Sequence, residues 1–212
     1  VHETVWDDGL PVMMSGYIPY DSVMGIFRND LNLDMYAQDD QAKRDRFFQM
    51  LSQGDYIFMS SNRQWGTIPR VPERYPLSTA YYRALVGCPE ELDSVTCYNL
   101  AEPGMFEGKL GFELTAVFTS YPTFGNWEFN DQFAEEAFSV YDHPKVMIFR
   151  KTADFDPQNL AAFLDSVDIS QAIFLTPRQA SQYKSGKPTL MLSEENLELQ
   201  QANGTWSEIF NR

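Results

Sequence analysis

Two carboxylates, two serines, an asparagine and an arginine are placed to form one polar cluster in this chain. Trp6, Asp7 and Asp8 follow a β-rich run that begins at Val1, and Ser60, Ser61, Asn62 and Arg63 follow the apolar run Tyr56–Met59. If the two runs are neighbouring parallel strands, both groups lie beyond strand carboxyl ends, where open α/β sheets bind ligands. Carboxylates, hydroxyls and a guanidinium so arranged suit a sugar or a divalent cation. The competing reading is structural: Asp7 and Asp8 cap a turn, as Asx residues commonly do, and pair with Arg63.

Two further candidates are weaker. Arg74 and Tyr75 close a Pro-rich loop, Arg70 to Pro76, whose alternating charges either clamp a ligand or pair among themselves. His143 stands beside Asp142, but neighbours on a strand or turn point apart, so Asp142 is badly placed to orient the ring. No serine in a nucleophile-elbow context accompanies them, and the one other histidine is His2, so a Ser-His-Asp hydrolase is not expected. The chain carries no GxGxxG and no phosphate-loop lysine motif, and no cofactor is called for. Cys88 and Cys97 share one local loop; that suits a disulfide in an oxidising compartment, and two unrelated thiols are the alternative. Two Cys and a distant His are too few for zinc, and no metal is expected. Trp6, Trp65, Tyr75, Tyr121, Trp127 and Tyr141 are aromatics able to stack on sugar rings, although most aromatics are core. Asn203-Gly204-Thr205 fits a glycosylation acceptor.

The elements that must position these groups alternate in type. A second strand is expected around 23–27 or 29–33. Asp39-Asp40 then opens a helix that runs to about Gln53 and stops at Gly54, with Phe47, Met50 and Leu51 on one face. The run 55–60 follows as a buried strand, and the strand–helix–strand order predicts a parallel βαβ unit. Residues 61–76 read as a long loop. Ser78 is expected to cap a helix ending at Gly87, and the cysteine loop follows. Residues 114–120 and 146–150 are strands with no helix between them, which predicts antiparallel pairing at a sheet edge. Between them lies an aromatic-rich excursion, Tyr121 to Tyr141. Asp156-Pro157 starts a helix to about Ser166, Ala172 to Leu175 is a short strand, Thr176 and Gln179 form a capping box, and Ser193 caps a last helix. The expected fold class is α/β: a Rossmann-like three-layer sheet, mostly parallel with an antiparallel edge. The core domain is 1–151, and 152–212 is a small helical, αβ appendage.

Composition bounds the partners. The chain has 212 residues, 43% of them hydrophobic, enough for a full core. Its net charge of −14 repels phosphate backbones and anionic lipid, so nucleic acid is excluded as a partner. No stretch approaches the ~20 apolar residues of a spanning helix. The chain starts at Val1 without an initiator Met and stops at Arg212 without a terminus signal. The expectation is therefore a domain excised from a longer, membrane-anchored protein.

The runs Asp55 to Arg63, Ile68 to Pro76 and Tyr81-Tyr82 resemble the YYY-type polytopic membrane protein family of archaea and Chloroflexi-like bacteria. So do Leu110 to Leu114, Phe118 to Pro122, Ala134 to Phe138 and Tyr141 to Val146, with Trp6 to Pro11 near the start and Gly204 to Arg212 at the end. The stretch Cys88 to Phe106 departs from that pattern as an insertion. The resemblance implies an extracytoplasmic domain lying between blocks of transmembrane helices. It implies kinship to multi-spanning glycosyltransferases that use lipid-phosphate-linked sugars, whose catalytic acid lies in a loop outside this chain. The domain would then be accessory, positioning an acceptor or glycan for the transmembrane part of the same polypeptide. The alternative is a structural or protein-interaction module with no ligand of its own.

Overall fold

The computed structural model describes residues 1–3, 31–134, 139–140, 143–180 and 182. The chain divides into two compact units, Val1–Ile173 and Phe174–Arg212. In the first unit Asp40, in extended conformation, caps helix α1 (Gln41–Gln53) by accepting from the Lys43 N–H at 2.9 Å. Lys43, Phe47 and Leu51 recur every four residues and form its buried face. Strand β1 (Tyr56–Met59) follows, then α2 (Arg63–Thr67), a 3-10 turn (Ile68–Arg70) and α3 (Pro76–Val86). Gly87 ends α3 in the left-handed region at φ 76°, where a Cβ would lie 1.9 Å from the Glu107 carbonyl oxygen. Asp93 caps α4 (Ser94–Leu100), and a Cys88–Cys97 disulfide, with Cα atoms 5.7 Å apart, ties the end of α3 to α4.

Strands β2 (Phe112–Phe118) and β5 (Val146–Lys151) flank the short hairpin β3 (Thr123–Phe124) and β4 (Trp127–Glu128). Helix α5 (Pro157–Ser166) is capped by Asp156 and packs on α1, burying Leu160 and Leu164. The main sheet has the order β1-β5-β2, and β5 is antiparallel to both neighbours. Ile57, Met59, Phe112, Met147 and Phe149 turn one face of it into the core, where Phe47, Tyr81 and Tyr82 also lie. The opposite face is open enough to leave Tyr56 exposed. In the second unit the described helix is Pro177–Ala180, with the Thr176 and Gln179 side chains hydrogen-bonded at its start.

The Rossmann-like expectation is wrong. Among the described residues the only parallel pairings are single bridges from His2 to Asn32 and to Phe58. The crossover from β1 through three helices does return β2 in the same direction, but β5 inserts between the two and pairs antiparallel with each. The antiparallel pair expected at the edge is present, with β2 as the edge strand, and its other member, β5, is the centre of the sheet. Two segments expected as loops are helical: 61–76 holds α2 and the 3-10 turn, and the cysteine loop holds α4. Ser78 does not cap α3, because Pro76 already opens it. Ala172 to Leu175 forms no strand. The strand expected at 23–27 or 29–33 is described only at 31–33, where Asn32 makes a single bridge to His2, and the helix after Ser193 lies outside the described residues.

Candidate functional site

The segment after β1 delivers Ser60 to Arg63 as expected, but into the protein. Ser60 Oγ lies 3.4 Å from His2 Nε2. Ser61 is buried, and its Oγ accepts from the Arg63 N–H at 3.1 Å. Asn62, at the start of α2, is 5% exposed, and its Nδ2 donates to Ser139 Oγ at 2.7 Å. The Arg63 carbonyl accepts from the Tyr36 hydroxyl at 3.1 Å. Ser139 also accepts, through its carbonyl oxygen, from the His143 N–H at 3.0 Å. Asn62 thus reaches Ser139 through the fold, while the His143 N–H meets it through a local turn four residues long. Trp6, Asp7 and Asp8 lie outside the described residues, as do Asp142 and Tyr141.

His143 finds a carboxylate other than its neighbour: Nε2 lies 2.7 Å from Asp131 Oδ2. Ser139, His143 and Asp131 have the composition of a catalytic triad, yet no hydrogen bond joins Ser139 Oγ to the imidazole among the described residues. The imidazole nitrogen nearest a partner is committed to Asp131, and Ser139 Oγ accepts from Asn62. A serine nucleophile needs that proton acceptor in hydrogen-bond reach. The same segment is latched to α4: Gln132 Nε2 donates to Asn99 Oδ1 at 3.2 Å, and Lys145 Nζ donates to the carbonyls of Asn99 and Ala101 at 2.9 and 2.7 Å. An ammonium on the last carbonyls of a helix is favourable. Burial lowers the Lys145 pKa to about 8, against the pull of Glu102.

Arg74 and Tyr75 belong elsewhere. The Arg74 guanidinium sits 5.2 Å from the centre of the Tyr75 ring, and Lys43 Nζ lies 5.4 Å from the same ring. Lys43 donates to the carbonyls of Met35 and Ala37, to Asp39 Oδ1 at 2.7 Å and to Ser78 Oγ at 2.8 Å. Asp39 Oδ2 accepts from the Leu77 and Ser78 N–H groups at 2.6 and 3.0 Å. A serine–lysine pair can be a nucleophile and base, but here all three groups are buried, and burial lowers the Lys43 pKa against the opposing pull of Asp39. The cluster is a staple: Asp39 caps α3 from a distance, and Lys43 balances its charge.

A third cluster carried no signal in the sequence. Glu3 is 2% exposed and accepts from the hydroxyls of Tyr81 at 2.6 Å and Tyr82 at 2.9 Å. The Tyr98 hydroxyl donates to the Tyr82 carbonyl at 3.0 Å, and Trp65 stacks on Tyr98 with ring centroids 5.3 Å apart. Burial raises the Glu3 pKa to about 7, although both phenol donors favour the charged form. The pattern of one inward carboxylate near the chain start is indistinguishable, on paper, from an exposed strand residue. Among the described residues no three His, Cys, Asp or Glu side chains gather to hold a metal ion.

The most exposed apolar groups lie on the excursion between β2 and β5. Gly125 takes φ 63°, so Gly125-Asn126 forms a two-residue turn with positive φ at its first position. Phe124 pairs with Trp127 and Thr123 with Glu128 across it, and the Phe129 N–H donates to the Pro122 carbonyl at 2.9 Å. Side chains alternate along a strand, so Pro122, Phe124, Trp127 and Phe129 share one face of the hairpin, while Thr123 and Glu128 share the other. Phe124 is 80% and Trp127 71% exposed, and Phe118, Phe129 and Phe133 are also exposed. Of the aromatics considered for stacking, Trp65 and Tyr75 are core, Trp127 is at this tip, and Tyr121 at its base is half-buried. No family model, curated protein or solved structure matches the chain, so its reading rests on its own residues and geometry.

Proposed function

We propose that this chain is a non-catalytic accessory domain that works outside the cytoplasm as part of a larger, membrane-anchored, glycosyltransferase-like protein, and that its task is to dock a partner. The observation that carries the reading is the hairpin 122–129, whose aromatic face lies in solvent. A monomer gains nothing from holding Phe124 and Trp127 in water, and such faces mark contact sites. The groups with chemistry in them support the same reading from the other side: Lys43, Asp39 and Ser78, Glu3 and its tyrosines, and Asn62 with Ser139 are buried and paired within the fold. The Cys88–Cys97 bond supports an oxidising compartment. The proposal assigns anchoring to flanking chain; no helix among the described residues is long and apolar enough to cross a membrane. The resemblance to polytopic membrane proteins motivates that assignment. Glycan positioning draws its support from Trp127 alone, since the polar set around Ser61 and Asn62 is closed.

The test is photocrosslinking in the full-length protein in its native membrane. A benzophenone amino acid at Phe124 is expected to give a discrete crosslinked product, and the same probe at Tyr56, exposed on the main sheet, is not. Equal products from both positions, or none from Phe124, would contradict the docking role.

A further inference from the structure

The hairpin is an uncharged arm that stands clear of the body. Strands β3 and β4 pair with each other and, among the described residues, with no strand of the main sheet. Every residue from Pro122 to Asn130 is exposed, so both faces of the arm meet water. One face carries Pro122, Phe124, Trp127 and Phe129 as a continuous apolar strip. An isolated two-stranded hairpin is marginally stable in water, so the arm gains from a surface that covers this strip. From Tyr121 to Trp127 no residue carries a charge. The next, Glu128, pairs with Thr123 and stands on the face opposite the aromatics.

The area of the strip and its lack of charge select the occupant. The three aromatics expose at most roughly 500 Å², short of the ~800 Å² per partner typical of a stable protein complex. A second copy of this chain also brings its own net charge of −14 against the same charge. An anionic bilayer is repelled by that field. The interface of a zwitterionic bilayer needs neither a shaped partner surface nor an opposite charge. It covers whatever apolar side chains reach the boundary between headgroups and acyl chains. It favours tryptophan there, because the ring is apolar while its N–H keeps a hydrogen bond to headgroup or water. It also penalises any charge carried inward, a demand the aromatic face meets. We propose, resting on the docking role above, that the hairpin 122–129 lies on a zwitterionic lipid surface. Phe124, Trp127 and Phe129 enter the boundary to a depth of ~5–10 Å, and Glu128, on the other face, stays in water.

The probe is phosphatidylcholine vesicles at millimolar lipid, floated with the chain 1–212. Vesicles with about a third of the lipid replaced by phosphatidylglycerol are the comparison. The chain is expected to float with phosphatidylcholine, and its partitioning is expected to fall at least tenfold in F124S/W127S at an unchanged melting temperature. Partitioning onto phosphatidylcholine is expected to change less than twofold between about 50 and 500 mM salt. Phosphatidylglycerol is expected to weaken it severalfold at the lower salt. Phosphatidylcholine brominated along its acyl chains is expected to quench the wild-type tryptophan fluorescence, and W127F to remove that quenching. The proposal is overturned if the chain does not float with phosphatidylcholine or if the double substitution leaves flotation unchanged. It is equally overturned if phosphatidylglycerol strengthens binding or if the quenching persists in W127F. Crosslinking from position 124 in the native membrane separates the lipid occupant from the docking role. A lipid adduct is expected. A protein adduct in its place would overturn the lipid occupant and leave the docking role standing, and the absence of any adduct would remove both.

Discussion

At the scale of single residues, the groups most able to do chemistry are those most deeply committed to the fold. Glu3 shows this most plainly. Its carboxyl is buried under two phenols, and burial raises its pKa from 4.5 to about 7. The folded state therefore keeps a proton that the unfolded state releases between those values. Stability from this group is complete below about pH 4.5 and is lost as pH rises through about 7. Denaturant unfolding is expected to show a fall of about 3 kcal/mol across that window for the wild type, and Glu3→Gln should remove this component. An unchanged pH profile in the variant would show that the carboxyl is not buried as described. Lys43 makes the complementary case. Lys43→Met strands Asp39 as a buried, unbalanced charge beside the start of α3, with an expected cost of about 3–5 kcal/mol. A loss under 1 kcal/mol in urea unfolding would mean that Asp39 reaches water. Neither residue was legible as structural in the sequence. Burial of one ionisable side chain depends on partners far along the chain, Tyr81 and Tyr82 for Glu3 and Ser78 for Lys43, and such pairings leave no local pattern.

At the scale of elements, several local signals and the antiparallel pairing of 114–120 with 146–150 were read correctly, and the parallel pairing was not. The helix after Asp40, the strand Tyr56–Met59 (buried on alternate residues and not throughout) and the Asp156-Pro157 start of α5 all stand where caps and apolar spacing place them. These depend on neighbours within a turn or two. The sheet depends on which strand lies between which, and β5 arrives from nearly ninety residues beyond β1 to separate it from β2. Alternation of strand and helix suggested parallel neighbours and contained nothing to exclude the insertion. The short helices α2 and α4 were missed because proline, asparagine and cysteine content reads as loop. Tertiary contacts, Trp65 stacked on Tyr98, hold the two together and override that composition. The disulfide reinforces α4 at its other side. With a sequence separation of 9 between the cysteines, reduction or a Cys88→Ser, Cys97→Ser pair is expected to cost about 2–3 kcal/mol by loop-closure entropy. Thermal unfolding with and without reductant measures it, and an unchanged midpoint would remove the bond from the account of stability.

At the scale of the whole molecule, the chain separates its interior chemistry from its exposed surface. Of the site residues drawn from the sequence, Asn62 donates to Ser139 Oγ and the His143 N–H to the Ser139 carbonyl, while Asp7 and Asp8 lie outside the described residues. The surface offers instead an acidic body and an aromatic arm. On the docking role proposed above, a domain arranged this way acts by contact with a partner. The proposed compartment draws its support from the disulfide and the proposed anchoring from the resemblance, so both stand or fall apart from the arm. The arm carries the central claim, and amide hydrogen exchange addresses it without assuming any partner's identity. Exchange at 122–130 is to be compared between the isolated chain and the full-length protein in its native membrane. Slower exchange confined to those amides in the membrane-borne protein, with α1 and β5 unchanged, is the predicted result. Equal exchange of the hairpin in both settings would contradict a docking role for this domain.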